Sequence, residues 1–498
     1  MNIVLIVVDT LRWDYIGANG NSWIRTPNLD RLAETSWRFD RCFAASYPTI
    51  PHRTDLITGR TGAPFHTWQP LAFDLPTLPR TLAAGGFATQ LLHDTPHLVN
   101  GGHNMDWPFH FWQFVRGAEV DRPWIRDRIE PPENWGEDPC LADFRPAPDA
   151  GDDAWYLPTY VWANTPRRKP EDWNCRRLFD AAADFLQDNA GRDPFFLWVD
   201  CFDPHEPWDA PAECMLRYDT TPGYDGRLDP RLLHYRNHPD LPEEARRRVV
   251  ASYAAKVDFV DQCLGRVLEA LETTGLAETT AVVLTADHGT NVGENAHFGK
   301  SLPVREYEAH VPLFVRLPGE AGGRCDALCQ PQDICATVAA LAGCEAPDGC
   351  VGQDLLPLAR EGRPGRALAL AGVAADKWKR EGILFTAFDG EWCLEVAARP
   401  DASVLRRLCF GAAGGGTEPV PYPAQETGEA DRRDRMHAAA LDELERRGAP
   451  AVLMEWIRSG GAPEAFPADA RLHEPWPIPS GYAAYFSRNY AREHPEIR

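Results

Sequence analysis

The sequence predicts an α/β protein in which a large, mostly parallel sheet is sandwiched by helices and followed by a smaller α+β unit. Three observations carry this. Short apolar strand candidates alternate with amphipathic helical segments up to about residue 320, as in strands joined by helical crossovers. A chain of 498 residues exceeds what a single hydrophobic core fills. After about residue 360 the alternation gives way to closely spaced strand candidates and a charged helix.

Asn2 to Val8, Phe87 to Leu92, Pro194 to Phe202, Ala281 to Ala286 and Pro312 to Arg316 are rich in Val, Leu, Ile or Phe. Most are bounded by polar, Gly or Pro residues, as buried strands are. Tyr253, Val257, Val260, Leu264, Leu268 and Leu271 recur at steps of three and four, the apolar stripe of a long scaffold helix ending near Gly275. Residues 100–175 lack clean periodicity and hold many of the 17 tryptophans, which reads as a long ordered insertion over the strand ends. The catalytic unit is therefore expected over 1–360 and a smaller unit with a tail over 361–498. The latter holds strands Gly382 to Phe388 and Trp392 to Ala397, a Gly- and Pro-rich stretch from Gly411 to Gln425, and a helix from Asp431 to Arg447. The tail from Pro463 to Arg498 is too aromatic for simple disorder, so packing on a neighbouring surface or subunit, and hence a homo-oligomer, is an option.

Composition narrows the function. A formal charge of −22 argues against binding nucleic acid over a broad surface, so an anionic substrate must be met by a local cluster of cations or a metal. No stretch approaches the roughly 18 apolar residues of a membrane helix. MNIVLIVVDT reads as a first strand rather than a signal peptide, so a cytoplasmic location is expected. The thirteen cysteines have no zinc-ligand spacing beyond the lone pair Cys325 and Cys329, and are expected reduced and mostly buried.

The residues that bear chemistry sit at strand ends. Asp9 follows the first strand, at the sheet edge where ligands of open α/β sheets bind; it suits either a cation or the cap of the next helix. In T-I-P-H-R-T-D-L-I-T-G-R, Thr49 to Arg60, Pro51 suits the first helical position and Gly59 the stop, leaving Thr49 near the N-cap. There its hydroxyl is either a plain cap or a group whose alkoxide the helix N-terminus favours, with Arg53 one turn on. Asp287 and His288 follow the strand Ala281 to Ala286, as metal ligands or as a polar turn. An imidazole beside carboxylates points to manganese, zinc or iron, since calcium prefers an all-oxygen shell. His205 and Lys300 lie beyond strand ends too, and each alone would be unremarkable.

Together and in this order, Asp9, the x-x-P-x-R-x-x-x-L/I-T-G-R run, H-x-P, D-H-G, G-K and V-P-L-F-V-R resemble the sulfatase family of the alkaline-phosphatase-like enzymes, over residues 1 to about 360. The resemblance implies that Asp9, Thr49, Asp287 and His288 bind a divalent metal. It implies that Arg53, His205 and Lys300 surround the ester and its leaving group, with Thr49, Arg53, His205 and Lys300 as catalytic residues. D-H-G instead of D-N-G, and Thr10 where calcium sulfatases carry a second aspartate, are more like the phosphonate monoester hydrolases and phosphodiesterases, and point to Mn2+ ahead of Zn2+, Fe2+ or Ca2+. Sulfatases oxidise a cysteine or serine at the Thr49 position to formylglycine, which threonine cannot become. Direct attack by the Thr49 hydroxyl fits chemistry at phosphorus. The lysine of the family's G-K-W-H run is replaced by His93 to His97, so His97 or His93 is expected to bind substrate in its place, with His297 a further candidate.

The expected function is thus metal-dependent hydrolysis of a small-molecule phosphodiester, phosphonate monoester or phosphomonoester. Sulfate-ester hydrolysis and a non-catalytic binding protein are the competing readings. The Trp-rich insertion suggests an aromatic pocket for a ring or quaternary ammonium, with Trp155 and Trp162 as probes.

Overall fold

A computed structural model describes residues 1–62, 68–99, 102–121, 160, 164, 167–192, 194–226, 237–373, 383–409 and 423–462. The tail, most of the Gly- and Pro-rich stretch, and most of the tryptophan-rich insertion, with Trp155 and Trp162, lie outside these residues.

The strands are β1 Asn2–Val8, β2 Ser36–Phe39, β3 Ala88–His93, β4 Phe111–Phe114, β5 Phe195–Cys201, β6 Thr280–Ala286, β7 Asn291–Val292, β8 Phe298–Gly299, β9 Leu313–Arg316, β10 Gly323–Cys325, β11 Ala369–Ala371, β12 Ile383–Phe388, β13 Trp392–Ala397 and β14 Val404–Arg407. Eight form one mixed sheet in the order β10-β2-β9-β6-β1-β5-β3-β4. The run from β6 to β4 is parallel, with β1 central between β5 and β6. β9 is antiparallel to both its neighbours, β6 and β2. All seven residues of β1, β5 and β6 are buried, which is why these strands read as continuous apolar runs. The short strands β2, β4 and β10 escape sequence analysis. Ser36–Phe39 and Phe111–Phe114 are brief, partly exposed and paired only through distant partners, so local pattern carries little of their signal.

The scaffold helix runs Glu243–Thr273, starts after Pro242 and packs on the helix Asn174–Asp188. The helix carrying the signature run spans Thr49–Thr58 and ends with Gly59 in the left-handed conformation at φ 68°, as glycine there allows. Its start differs from expectation. Pro48 is the cap, its carbonyl accepting the first helical bond from His52 N at 3.1 Å, and Thr49 is itself the first helical residue. Pro51 fits two residues further in because its missing N–H belongs to the first turn, where no intrahelical acceptor exists.

A second, antiparallel sheet of β11-β12-β13-β14 packs with the helices Ala430–Arg446 and Ala451–Arg458 around Leu384, Leu394, Leu405, Leu444 and Leu453. It is sewn to the segment before Thr49. Tyr47 N donates to the Gly372 carbonyl, Gly372 N donates to the Ala45 carbonyl, each at 3.0 Å, and Phe43 stacks on Phe388 at 4.5 Å. Every described cysteine is free, most of them buried. No helix among the described residues is long and apolar enough to cross a membrane.

Candidate active site

Parallel strands β1, β5 and β6 end side by side, and each delivers a fully buried aspartate: Asp9, Asp200 and Asp287. Arg53, one turn into the Thr49–Thr58 helix, sits among them. Its Nε and Nη2 donate to the two oxygens of Asp200 at 3.0 and 2.9 Å. Its Nη1 lies 3.1 Å from Asp9 Oδ2 and donates to Asp287 as well. The same Nη1 reaches the Thr49 carbonyl at 3.4 Å, which ties the first helical residue to the carboxylate cluster. Three buried carboxylates against one guanidinium leave an excess of negative charge that a dry interior does not tolerate. Burial, then the neighbouring Asp287 charge, pushes Asp9 well above the usual carboxylate range. Burial acts in the same sense on Asp287, but His288 and Arg53 outweigh it and hold that carboxyl low.

The donor set fits a divalent cation. Asp9, Asp287 and His288 each offer an atom within 4.8 Å of the others. Apart from the Arg53 ion pair on Oδ2, neither Asp9 oxygen has a hydrogen-bond partner, and His288 Nε2 and Thr10 Oγ1 are buried with no hydrogen-bond partner. His288 Nδ1 donates to the Gly289 carbonyl at 2.7 Å, which leaves the Nε2 lone pair for a metal. Burial keeps the ring neutral by lowering its pKa to about 4. A cation would use the orphaned atoms and offset the excess charge, with two carboxylates and an imidazole as its ligands.

Local backbone holds the donors in place. Thr10 has φ 58°, unusual for a β-branched residue, and is pinned from both sides. Its N–H donates to Asp287 Oδ1 at 3.1 Å, and its carbonyl accepts from the Tyr253 hydroxyl at 2.7 Å. Tyr253 is thus more than scaffold. Gly289 of D-H-G has ordinary φ, but a Cβ there would lie 2.0 Å from the Tyr307 carbonyl oxygen, so only glycine fits behind His288.

A second group gathers around His205. Lys300 Nζ donates to His205 Nε2 at 2.8 Å and lies 3.3 Å from Glu206 Oε1. His205 Nδ1 donates to the Glu206 carbonyl at 2.7 Å and approaches Glu119 Oε2 at 3.5 Å. These partners set the tautomer: Nδ1 carries the proton and Nε2 accepts from the lysine. Burial, ahead of the opposing pull of Glu206, drives the His205 pKa well down and keeps the ring neutral. The proton shared between these two side chains therefore belongs to Lys300 rather than to His205. Burial, then the charge of Glu206, raises Glu119 to about 8. Lys256 braces the loop below by pairing with Asp203 at 2.7 Å and donating to the His205 carbonyl at 3.1 Å.

The three further histidines are placed differently from one another. His97 joins the second group: its ring meets Phe202 edge-on at 5.6 Å, Phe202 stacks on His205 at 4.2 Å, and burial and then the Lys300 charge press its pKa down to about 3. His93 is 0% exposed, stacks on Phe114 at 5.0 Å and bonds the Thr95 carbonyl at 3.1 Å, with Nε2 buried and unpartnered, so its ring packs against the core. His297 Nε2 donates to the Lys300 carbonyl at 3.1 Å and its Nδ1 meets Asn237 at 2.9 Å, so both nitrogens are engaged beside the Lys300 turn.

Residues that sequence analysis passed over include Asp200, Glu119, Glu206 and His52. Asp200 ends an apolar strand as Asp9 does, and the same strand-end argument finds it. It also accepts from Thr95 Oγ1 at 2.6 Å, where the expected lysine is lacking. Glu119 lies within the long insertion and carries no local signal. His52 is fully buried, both ring nitrogens lack partners, and burial lowers its pKa to about 4.

A sulfatase family profile matches residues 1–344. The chain belongs to the sulfatase family. An arylsulfatase of Clostridium perfringens is 26% identical over 399 residues, covering 72% of this chain and 78% of the relative. The multifunctional alkaline phosphatase superfamily protein PehA of Trinickia caryophylli is 27% identical over 413 residues, covering 73% and 78%. The solved structure of a phosphonate monoester hydrolase from Silicibacter pomeroyi superposes with a TM-score of 0.63 over 90% of this chain and 95% of that one, at 22% identity, a likeness of fold. This sulfatase-family chain is an ester-hydrolysing enzyme of the divalent-metal-dependent kind.

Proteins purified without chelator are expected to carry a stoichiometric divalent metal that His288→Ala loses, as read by elemental mass spectrometry. Full metal content in that variant would remove His288 from the ligand set.

Proposed function

We propose that this sulfatase-family enzyme hydrolyses a small phosphorus ester, a phosphodiester, phosphonate monoester or phosphomonoester, with the Thr49 hydroxyl as nucleophile. One observation carries the reading: a threonine, which cannot form the formylglycine aldehyde, is the first residue of the helix whose Arg53 reaches into the Asp9–Asp287–His288 donor set.

Thr49 Oγ, its proton released to solvent, attacks phosphorus as the P–O bond to the alcohol breaks, giving a phospho-threonine that water then hydrolyses to free Thr49 and the phosphorus acid. The first-turn N–H groups and Arg53 favour the negative charge that develops at that oxygen and on the transferring group. The departing alcohol takes its proton from the Lys300–His205 pair, Lys300 being the cation that His205 Nε2 and Glu206 orient. A divalent cation held by Asp9, Asp287 and His288 would lower the pKa of a hydroxyl bound to it and offset charge on the transferring oxygens. The imidazole in the set favours manganese, zinc or iron over calcium.

Sulfate-ester hydrolysis is the second reading, favoured by the arylsulfatase and by two iduronate 2-sulfatases among the relatives. Matched nitrophenyl phosphate, phosphodiester, phosphonate and sulfate esters decide between the two: the expected result is faster turnover of a phosphorus ester, restored by manganese after chelation. A preference for the sulfate ester would overturn the proposal.

Lys300→Ala is expected to lower kcat about a hundredfold, within the range for losing a positioned proton donor. The loss is expected to be larger for an alkyl than for a nitrophenyl leaving group, because the better leaving group needs less protonation. Equal losses for both would assign Lys300 to charge balance alone.

A further inference from the structure

Away from Thr49, where the far end of its helix meets the helix Ala430–Arg446, lies a cavity of about 970 Å3. Five arginines line it, Arg60, Arg366, Arg435, Arg446 and Arg447, against two carboxylates, Asp389 and Glu443. In a chain of net charge −22 such a concentration is local, not a reflection of the whole surface.

Helix capping explains part of it. Arg446 and Arg447 close the helix Ala430–Arg446, where cations are favoured, and pair with Glu443 at 2.5 and 2.9 Å. Capping does not explain the rest of Arg447. Its side chain is only 7% exposed, its Nε is on Glu443 and its Nη2 donates to Gln330 Oε1 at 3.2 Å, while Nη1 is buried with no acceptor. Leaving a charged donor buried without a partner is unfavourable. The nearest arginine does not relieve it: Arg366 is held by both oxygens of Asp333, at 3.0 and 2.5 Å, and its charge opposes that of Arg447. Arg435, Met436, Ala439, Glu443 and Arg446 line the cavity along one helix face, and Leu368 and Val351 add apolar surface to its lining.

We propose that this cavity binds a small organic anion, its phosphate, phosphonate or sulfate group held by Arg447 with the neighbouring arginines and its apolar body against Met436, Leu368 and Val351. Guanidinium forks match tetrahedral oxyanions in geometry, and an oxyanion would supply the acceptor that Arg447 Nη1 lacks. The site is separate from the Thr49 centre, and the proposal does not depend on the reaction assigned there.

Calorimetric titration of the manganese-loaded protein with phenylphosphonate, which has an apolar ring and no ester bond to cleave, tests it. The expected result is a binding event that Arg447→Gln and Arg435→Glu each weaken about tenfold or more, the loss of one charge-assisted contact, and that Thr49→Ala leaves unchanged. Arg435 is exposed, so its reversal preserves the fold even if the buried Arg447 variant does not. Absence of any event with this dependence overturns the proposal.

Discussion

Replacing Thr49 by alanine is expected to lower kcat for a phosphorus ester roughly ten-thousandfold or more, the scale seen when a nucleophile is removed from an otherwise intact site. Thr49 is the first residue of its helix and is almost wholly buried, so its hydroxyl is held in a fixed place. Alanine keeps the helix, Arg53 and the three acidic strand ends, so the protein should fold and still bind substrate, and the loss should fall on kcat rather than KM. Acid quenching of the wild type during turnover of a substrate radiolabelled at phosphorus should leave label on the peptide containing Thr49, and none in the alanine variant. Turnover that survives Thr49→Ala would mean that water or another residue attacks.

Arg53→Ala is expected to cost about 3–5 kcal/mol of folding stability, measured as a drop in the urea midpoint of metal-free protein. The physical reason is the asymmetry of a broken buried ion pair. Arg53 faces Asp9, Asp200 and Asp287, all with side chains 0% exposed, and without it their charges lose their shared partner. A smaller loss is expected in the presence of manganese, because a bound cation answers part of the same charge. Arg53→Lys should recover little, since one ammonium cannot grip both Asp200 oxygens and also reach Asp9 and Asp287. A midpoint unchanged by Arg53→Ala would show that the carboxylates are neutralised some other way.

Much of this site is legible without coordinates, for a definite reason. A residue at a strand end inherits the strand's signal: Asp9 and Asp287–His288 follow continuous apolar runs, and the helical run from Thr49 to Gly59 is punctuated by residues whose backbone preferences are strong. Asp200 obeys the same logic and stands in an equally apolar strand, so its role was readable by the argument used for Asp9. Glu119, by contrast, lies in an irregular segment where no period marks it, and its approach to His205 depends on how a loop returns over the sheet. His93 and His97 sit four residues apart with the same side chain, yet one faces the core against Phe114 and the other meets Phe202 beside His205. Sequence spacing does not separate them because the turn between them, not the residue type, sets their directions.

Asp9, Thr49, Asp287 and His288 stand out through the resemblance to a known family, while local sequence pattern is enough for the α/β class, the central buried strands and the long helix. These follow from local patterns: burial on both faces makes strands uniformly apolar, and amphipathic periodicity marks helices. Which charges meet depends on the fold. The gathering of three aspartates on Arg53, the His205 tautomer fixed by Lys300 and the Glu206 carbonyl, and the bracing of His297 against the Lys300 turn all join residues from separate parts of the fold. Such contacts are set by strand order and loop path, and their strength comes from burial, a property the folded chain has and an isolated segment does not.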